Sequence, residues 1–273
     1  MNVFAEFENW FRPAEENDLR SPEVLDGVSN LSRLEGPESL EQAGSLENGE
    51  GDIPSFRDAF GDVELRTDIP GVDRALIFGN PFELAENLSF TQGNNELGFH
   101  GDCGLASIAN LGVMAGKELS ENDVALLADR EGLCANEFFL PAEIRGGVDD
   151  GDILALMSRL DMPAHVESAS EAGGSPEAIA SQVETGHLVT IGLNAGLFWN
   201  DPAYVDLGQA NHQVCITGVC RDADTGKLAG FFICDTGRGL PEDANRFVST
   251  ELLEEAYCGA SDASAVITDR IYT

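Results

Sequence analysis

Apolar positions change their period along this chain. Leu105, Ile108, Ala109, Gly112 and Ala115 recur at helical spacing in the run Cys103–Ala115, and Gly116 follows as a stop. The run Ser120-Glu-Asn-Asp123 has the form of a capping box, predicting a helix to Arg130 that ends at Gly132. Asp149–Leu160 predicts a third helix, with acids in its first turn and Arg159 near its end. Ser175 and Pro176 start a fourth, Ser as cap and Pro at the first helical position, and Gly186 follows its end. Beyond Gly186 the pattern shifts to strands: His187–Leu193, His212–Val219, Leu228–Cys234 and Ser264–Ile271, with a polar turn at Arg221–Gly226. Ser249 or Thr250 caps a short helix through Ala256. His165 falls in a short extended segment, and Asn194–Asn211 reads as a polar, flexible stretch. Helices first and antiparallel strands second give an α+β fold class.

The first ninety residues read differently. Residues 13–55 have few long apolar runs, so residues 1–90 are expected to be an acidic arm, largely disordered or loosely docked, ahead of a globular domain at 91–273. Short apolar patches at Val3–Phe11 and Asp73–Leu84 are the segments of the arm suited to docking. No internal repeat is visible.

Charge narrows the partners. Across 273 residues there are 49 acidic and 15 basic side chains, a formal net charge of −34, and the only lysines are Lys117 and Lys227. Residues 1–90 carry −14 of this and residues 91–273 carry −20, so the acidity is not confined to a tail. Such a field opposes phosphate backbones and anionic membrane surfaces, so neither nucleic acid nor membrane is expected as a partner. A polypeptide partner would be neutral or basic. No stretch approaches the ~20 apolar residues of a membrane span. Met1–Trp10 lacks a basic region followed by an apolar run, so no secretory signal is read. Cytoplasmic synthesis with reduced thiols is expected, and export by a route without a classical signal stays open.

Six cysteines are present, at 103, 134, 215, 220, 234 and 258, with no Cys-x-x-Cys pair and no zinc-type spacing; no metal or cofactor is expected. Cys215, Cys220 and Cys234 lie in apolar strand-like runs, as buried free thiols do. Cys103 differs. It sits at a predicted helix start, where unpaired backbone N–H groups and the helix dipole favour thiolate, the nucleophilic form. Gly101 and Gly104 flank it and permit close approach of a substrate. The alternative is a small buried residue behind an Asp102 cap. His212 opens a strand after the polar stretch and is the candidate base. In a hairpin of 212–219 with 228–235 centred near residues 224–225, Asp235 lies opposite Val214 and diagonal to His212. Diagonal neighbours on one face are roughly 7 Å apart, so the carboxylate can orient the ring. A slip of one residue would move Asp235 to the other face. His100 is read as lining the site or the surface, and His165 and His187 as structural.

The segment Gly101-Asp-Cys103-Gly-Leu-Ala-Ser, followed by Asn211-His212-Gln-Val and Ile233-Cys-Asp235, resembles the papain-like cysteine peptidase pattern. It is most similar to bacteriocin-processing (double-glycine leader) peptidase domains and to papain-like domains of bacterial polymorphic toxins. The toxin-type likeness extends over Asn110–Gly116, Glu121–Val124 and Glu131–Cys134 and covers about residues 90–273. The resemblance implies a papain-like fold, with an N-terminal helical subdomain whose Cys helix packs on a C-terminal antiparallel sheet. It implies Cys103 as nucleophile, His212 as proton carrier and Asp235 as orienting group. It also implies an oxyanion hole made of the Cys103 backbone N–H and a side-chain amide. Leu97 stands where the family commonly has a glutamine; Gln92, Asn94 or Asn95 is then the substitute, Asn95 being the nearest.

Three functions follow from the resemblance. The first is a peptide-bond hydrolase working through an acyl-thioester, as an effector or toxin module with a polypeptide substrate and an immunity or inhibitor protein as partner. The second is a glutamine deamidase or transglutaminase using the same triad. The third is an inactive papain-like binding module, for which Leu97 is the motive.

Overall fold

The computed structural model describes residues 63–272. In chain order these form β1 (Val63–Arg66), β2 (Ala75–Phe78), α1 (Pro81–Leu84), α2 (Cys103–Met114), α3 (Glu121–Glu131), α4 (Asp150–Arg159) and β3 (Ala164–Ser168). There follow α5 (Pro176–Glu184), β4 (His187–Leu193), α6 (Ala195–Trp199), β5 (His212–Asp222), β6 (Leu228–Cys234), β7 (Arg246–Ser249), α7 (Thr250–Leu253) and β8 (Ser264–Ile271). The arrangement is mixed α+β, built on one eight-stranded sheet whose named strand pairs are all antiparallel.

The helix boundaries follow from their caps. Ser120 Oγ accepts the Asp123 N–H at 3.2 Å, and Asp123 Oδ2 accepts the Ser120 N–H at 3.0 Å. This reciprocal pair satisfies two donors that the first turn of α3 leaves open. Gly132 ends the same helix at φ 67°. Asp149 and Asp152 form a second such box on α4, and Ser175 caps α5 ahead of Pro176. The expected helix through Ala256 is divided: α7 stops at Leu253 and a π-helical turn covers Glu254–Cys258.

Strand β5 is the centre of the sheet, and all but its last residue is buried. Cys215 and Ile216 pair with both β4 and β6, while Val219–Arg221 face both β2 and β6. Hence β4 and β2 share one edge of β5 and β6 takes the other. Alternation along β5 separates two cores. Val214 and Ile216 pack with Ile179 of α5, Phe198 of α6 and Leu253 of α7. Cys215 points the other way, into a core with Leu105, Ile108 and Leu111 of α2, Val124 of α3 and Leu156 of α4. Helices therefore cover both faces of the sheet. Each fully buried Leu or Ile contributes about 2 kcal/mol from burial alone.

Three strands were not legible in the hydrophobic pattern: β1, β2 and β7. The first two lie in the expected arm, where Ala75–Phe78, within the Asp73–Leu84 patch, pairs with Val219–Asp222. Residues 1–62, including the Val3–Phe11 patch, lie outside the described residues. The stretch 194–211 is a further difference. It contains α6 and two short 3-10 turns and is tied down by two asparagines. Asn194 Nδ2 donates to the Val205 and Gln209 carbonyls at 2.6 and 2.7 Å, and Asn211 Nδ2 donates to the Tyr204 carbonyl at 2.8 Å. Among the described residues, no helix is long and apolar enough to cross a membrane.

Candidate active site

Cys103 and His212 meet because α2 is fastened to β5. Ser107, one turn along the helix, donates its hydroxyl to the Gln213 carbonyl at 3.2 Å, and its own carbonyl accepts the Cys215 thiol at 3.1 Å. Asn110, three residues further, donates to the Ser89 carbonyl at 2.8 Å and reaches Cys234 Sγ on β6 at 3.5 Å. Polar side chains at positions 107 and 110 thus hold the apolar helix in register against two strands. The first residue of α2 then lies beside the first residues of β5.

The Cys103 thiol lies near His212 and the backbone N–H groups of Gln213 and Gly104, each of which lowers its pKa. The Gly104 group is one of the donors that a helix start leaves unpaired. Burial disfavours the thiolate, but the His212 hydrogen bond and charge, with these two N–H groups, bring the thiol below its ordinary value. The other five cysteines move the opposite way. Burial pushes Cys134 up to about 11 and Cys215 and Cys220 up to about 12, and it also raises Cys234 and Cys258.

His212 donates from Nε2 to Asp235 Oδ1 at 2.6 Å, which leaves Nδ1 for the thiol. The hairpin explains the contact. Cys215 faces Cys234 and Ile216 faces Ile233, the register that places Asp235 across from Val214. Irregularities between Ile216 and Gly218 and between Cys220 and Arg221 shift the middle of the ladder by one residue and then return it. Asp235 is fully buried. Its Oδ1 also accepts the Gly237 N–H at 2.8 Å, and its Oδ2 accepts the Trp199 indole N–H at 2.7 Å. Burial works against this carboxylate, but the His212 charge and these hydrogen bonds outweigh it, and its pKa falls to about 2. Burial likewise works against a charged His212, and the Asp235 carboxylate, aided by Cys103, pushes the ring up to about 10.

Trp199, the last residue of α6, carried no signal in the sequence. Its ring lies 5.0 Å from the His212 ring, tilted by 54°, and covers the His212–Asp235 bond while donating to the carboxylate. Gly237 makes room for it: a Cβ there would stand 2.5 Å from the indole and 2.9 Å from His212 Cε1. Gly101 is held in the same way, since a Cβ would collide with the Glu143 carbonyl.

The two weaker sequence candidates separate. Asn95 Nδ2 faces three acceptors, Phe99 O, Asp102 Oδ2 and Glu121 Oε1, with only two hydrogens to give. Gln92 Nε2 donates one hydrogen to the His100 carbonyl at 2.6 Å and has a second available. The Gln92 backbone N–H donates to the Thr236 carbonyl at 3.0 Å, so this residue joins the segment before Cys103 to the loop after Asp235. His100 is exposed, while His187 and His165 bond the Thr268 carbonyl and Asp269, respectively. Among the described residues, no group of three or more His, Cys, Asp or Glu could hold a metal ion.

No protein family matches the sequence, and no curated protein does. Among solved structures, the chain is similar to a double glycine motif protease from an AMS/PCAT transporter, crystallised in complex with the leader peptide. The TM-score is 0.37 at 15% identity, over 62% of this chain and 84% of that one.

Proposed function

We propose that this chain is a papain-like cysteine hydrolase that cuts peptide bonds, with Cys103 as nucleophile, His212 as proton carrier and Asp235 as orienting group. The observation that carries the reading is the His212 ring, bonded through Nε2 to buried Asp235, with Nδ1 left over, beside the cysteine whose pKa it lowers. A single cysteine lowered among six supports the same choice of nucleophile.

In the reaction, the Cys103 thiolate attacks the carbonyl carbon and a C–S bond forms. The carbonyl electrons move to oxygen, which the Cys103 backbone N–H and the free Gln92 amide hydrogen would hold. The imidazolium of His212 passes its Nδ1 proton to the leaving nitrogen, and the C–N bond breaks. Neutral His212 then takes a proton from water as the water attacks the thioester. The tetrahedral adduct collapses, releasing the acid and restoring thiolate and imidazolium. Asp235 stays ionised throughout and keeps Nε2 protonated, so Nδ1 is the nitrogen that exchanges protons. The acidic surface favours a neutral or basic polypeptide as substrate.

The test is labelling with a thiol-reactive peptide probe. Labelling at Cys103 that is lost in Cys103→Ala and strongly reduced in His212→Ala is expected; equal labelling of all three proteins would falsify the assignment. The same acyl-enzyme serves glutamine deamidation, and product mass separates the two. New chain termini mean proteolysis, and a gain of about one mass unit without cleavage means deamidation.

A further inference from the structure

Asp102 precedes Cys103, and Glu121 is the first residue of α3; both carboxyls are buried, at 0% and 6% exposure. Asn95 lies between them, its Nδ2 facing Asp102 Oδ2 at 2.9 Å and Glu121 Oε1 at 3.2 Å as well as the Phe99 carbonyl at 2.9 Å. Its Oδ1 accepts the Phe99 N–H at 2.9 Å and so ties the pair to the turn that leads into α2. The remaining oxygens, Asp102 Oδ1 and Glu121 Oε2, are buried and have no donor. The two carboxyls stand side by side, since one Asn95 nitrogen lies within hydrogen-bonding distance of both. As two carboxylates they would have no donor for these oxygens, because an ionised carboxyl only accepts. One added proton turns one of them into a donor and satisfies the buried oxygens together.

The surroundings supply no other counter-charge. Among the described residues, no lysine or arginine forms an ion pair with either carboxyl. The titratable groups that face Asp102 are Glu121 on α3, Cys103 on α2 and Cys134 after α3. From the loop that packs on Phe99, Arg145 directs its guanidinium to the Gly98 carbonyl at 3.1 Å. Asp102 sits at the cap of α2, and its side chain makes no capping bond. One negative charge between the starts of α2 and α3 is favoured by both helix dipoles. A second would repel the first and oppose the Cys103 thiolate beside it.

We propose that Asp102 and Glu121 share one proton in a carboxylic acid–carboxylate bond, and that this pair, clamped by Asn95, positions the turn that sets Cys103 against His212. Burial and the neighbouring Glu121 carboxyl hold Asp102 well above the usual carboxylate range, as a shared proton requires. The positioning half rests on Cys103 being the nucleophile. The shared proton does not.

The experiment compares the full chain with Asp102→Asn, Asp102→Ala and Glu121→Gln, following thermal stability and the rate of Cys103 alkylation by iodoacetamide against pH. An acid whose folded pKa is raised loses stability as pH climbs above its unfolded value near 4. An amide in its place has no proton to lose. The parent chain should therefore fall behind both amide variants between about pH 5 and pH 8, by at least about 5 °C in Tm. His212 and Cys103 titrate in all of these proteins, so the gap reports the pair alone. Asp102→Ala should move the alkylation midpoint up by about one pH unit or more, toward an ordinary thiol, and Asp102→Asn should keep it low. Should Asp102→Ala not fold, Glu121→Ala against Glu121→Gln makes the same comparison. Parallel stability curves would overturn the shared proton. An unmoved midpoint in the alanine variant, or a raised one in the asparagine variant, would overturn the positioning role. Failure of the nucleophile assignment looks different: Cys103 of the parent chain would itself titrate as an ordinary thiol.

Discussion

Replacing Trp199 by Phe tests the hydrogen bond that holds Asp235 in the proposed triad. The phenyl ring can still lie over His212, but the indole N–H that bonds Asp235 Oδ2 at 2.7 Å is gone. Asp235 is fully buried beneath the indole. A hydrogen bond to a charged group contributes about 1.5–3 kcal/mol. Burial opposes the Asp235 charge, and His212 first, then the Gly237 and Trp199 bonds, bring its pKa down to about 2, which sets the pH at which the indole bond ceases to contribute. A depressed acid contributes fully above its unfolded value and loses that contribution as pH falls through its folded value. The variant should therefore be less stable by about 2 kcal/mol from pH 7 down to about pH 4. Toward about pH 2, as Asp235 takes up its proton, the deficit should shrink. Urea unfolding followed by circular dichroism at several pH values measures this directly. Acid unfolding should also begin at higher pH in the variant. A deficit of equal size at every pH would mean that Trp199 acts through packing alone. No deficit at all would mean that the carboxylate does not depend on the indole.

Other expectations are independent of this one. Gln92→Ala should lower peptide hydrolysis by about 10²–10³-fold while leaving iodoacetamide alkylation of Cys103 near the parent rate; an equal fall in both would show that Gln92 shapes the nucleophile and does not hold the oxyanion. Hydrolysis should rise with pH through the lowered Cys103 value and decline near pH 10, where the His212 imidazolium loses its proton; a rising limb at the ordinary thiol value would contradict the ion pair. Gly237→Ala should slow both alkylation and hydrolysis, because its Cβ must displace Trp199 or His212; parent-like rates would show that the loop yields at no cost. Arg221→Ala leaves the buried Glu184 carboxylate without its partner. It should cost about 3–5 kcal/mol in urea unfolding, yet leave the alkylation rate of the folded protein unchanged, since Arg221 stands at the far end of β5 from His212.

The pieces of the site that were legible in the sequence are those set by local chemistry or by a single register. The helix start at Cys103 was legible because caps and apolar spacing announce it. The His212–Asp235 pairing was legible because a hairpin fixes which residues face each other, and the two ladder irregularities cancel before they reach Cys215 and Cys234. Trp199, Gly237 and the Asn95–Asp102–Glu121 cluster were not legible, since each contact joins segments whose approach only the assembled sheet defines. The same limit hid β1, β2 and β7, four-residue strands whose place depends on partners far along the chain. Two weaker signals were present in the sequence. Ser107 and Asn110 interrupt an apolar helix at a spacing of three, and a polar pair on a buried face must find acceptors across the interface. Asn194 and Asn211 bracket a segment of low periodicity. Asparagines that bond backbone can make such a segment rigid where composition alone suggests a loose one. At this site the polar residues buried among apolar ones place the helix and the loop, and the apolar pattern sets only which face they occupy. A search for the support of a thiol nucleophile should therefore begin with the buried amides and hydroxyls on its own helix, before the charged residues that share its cleft.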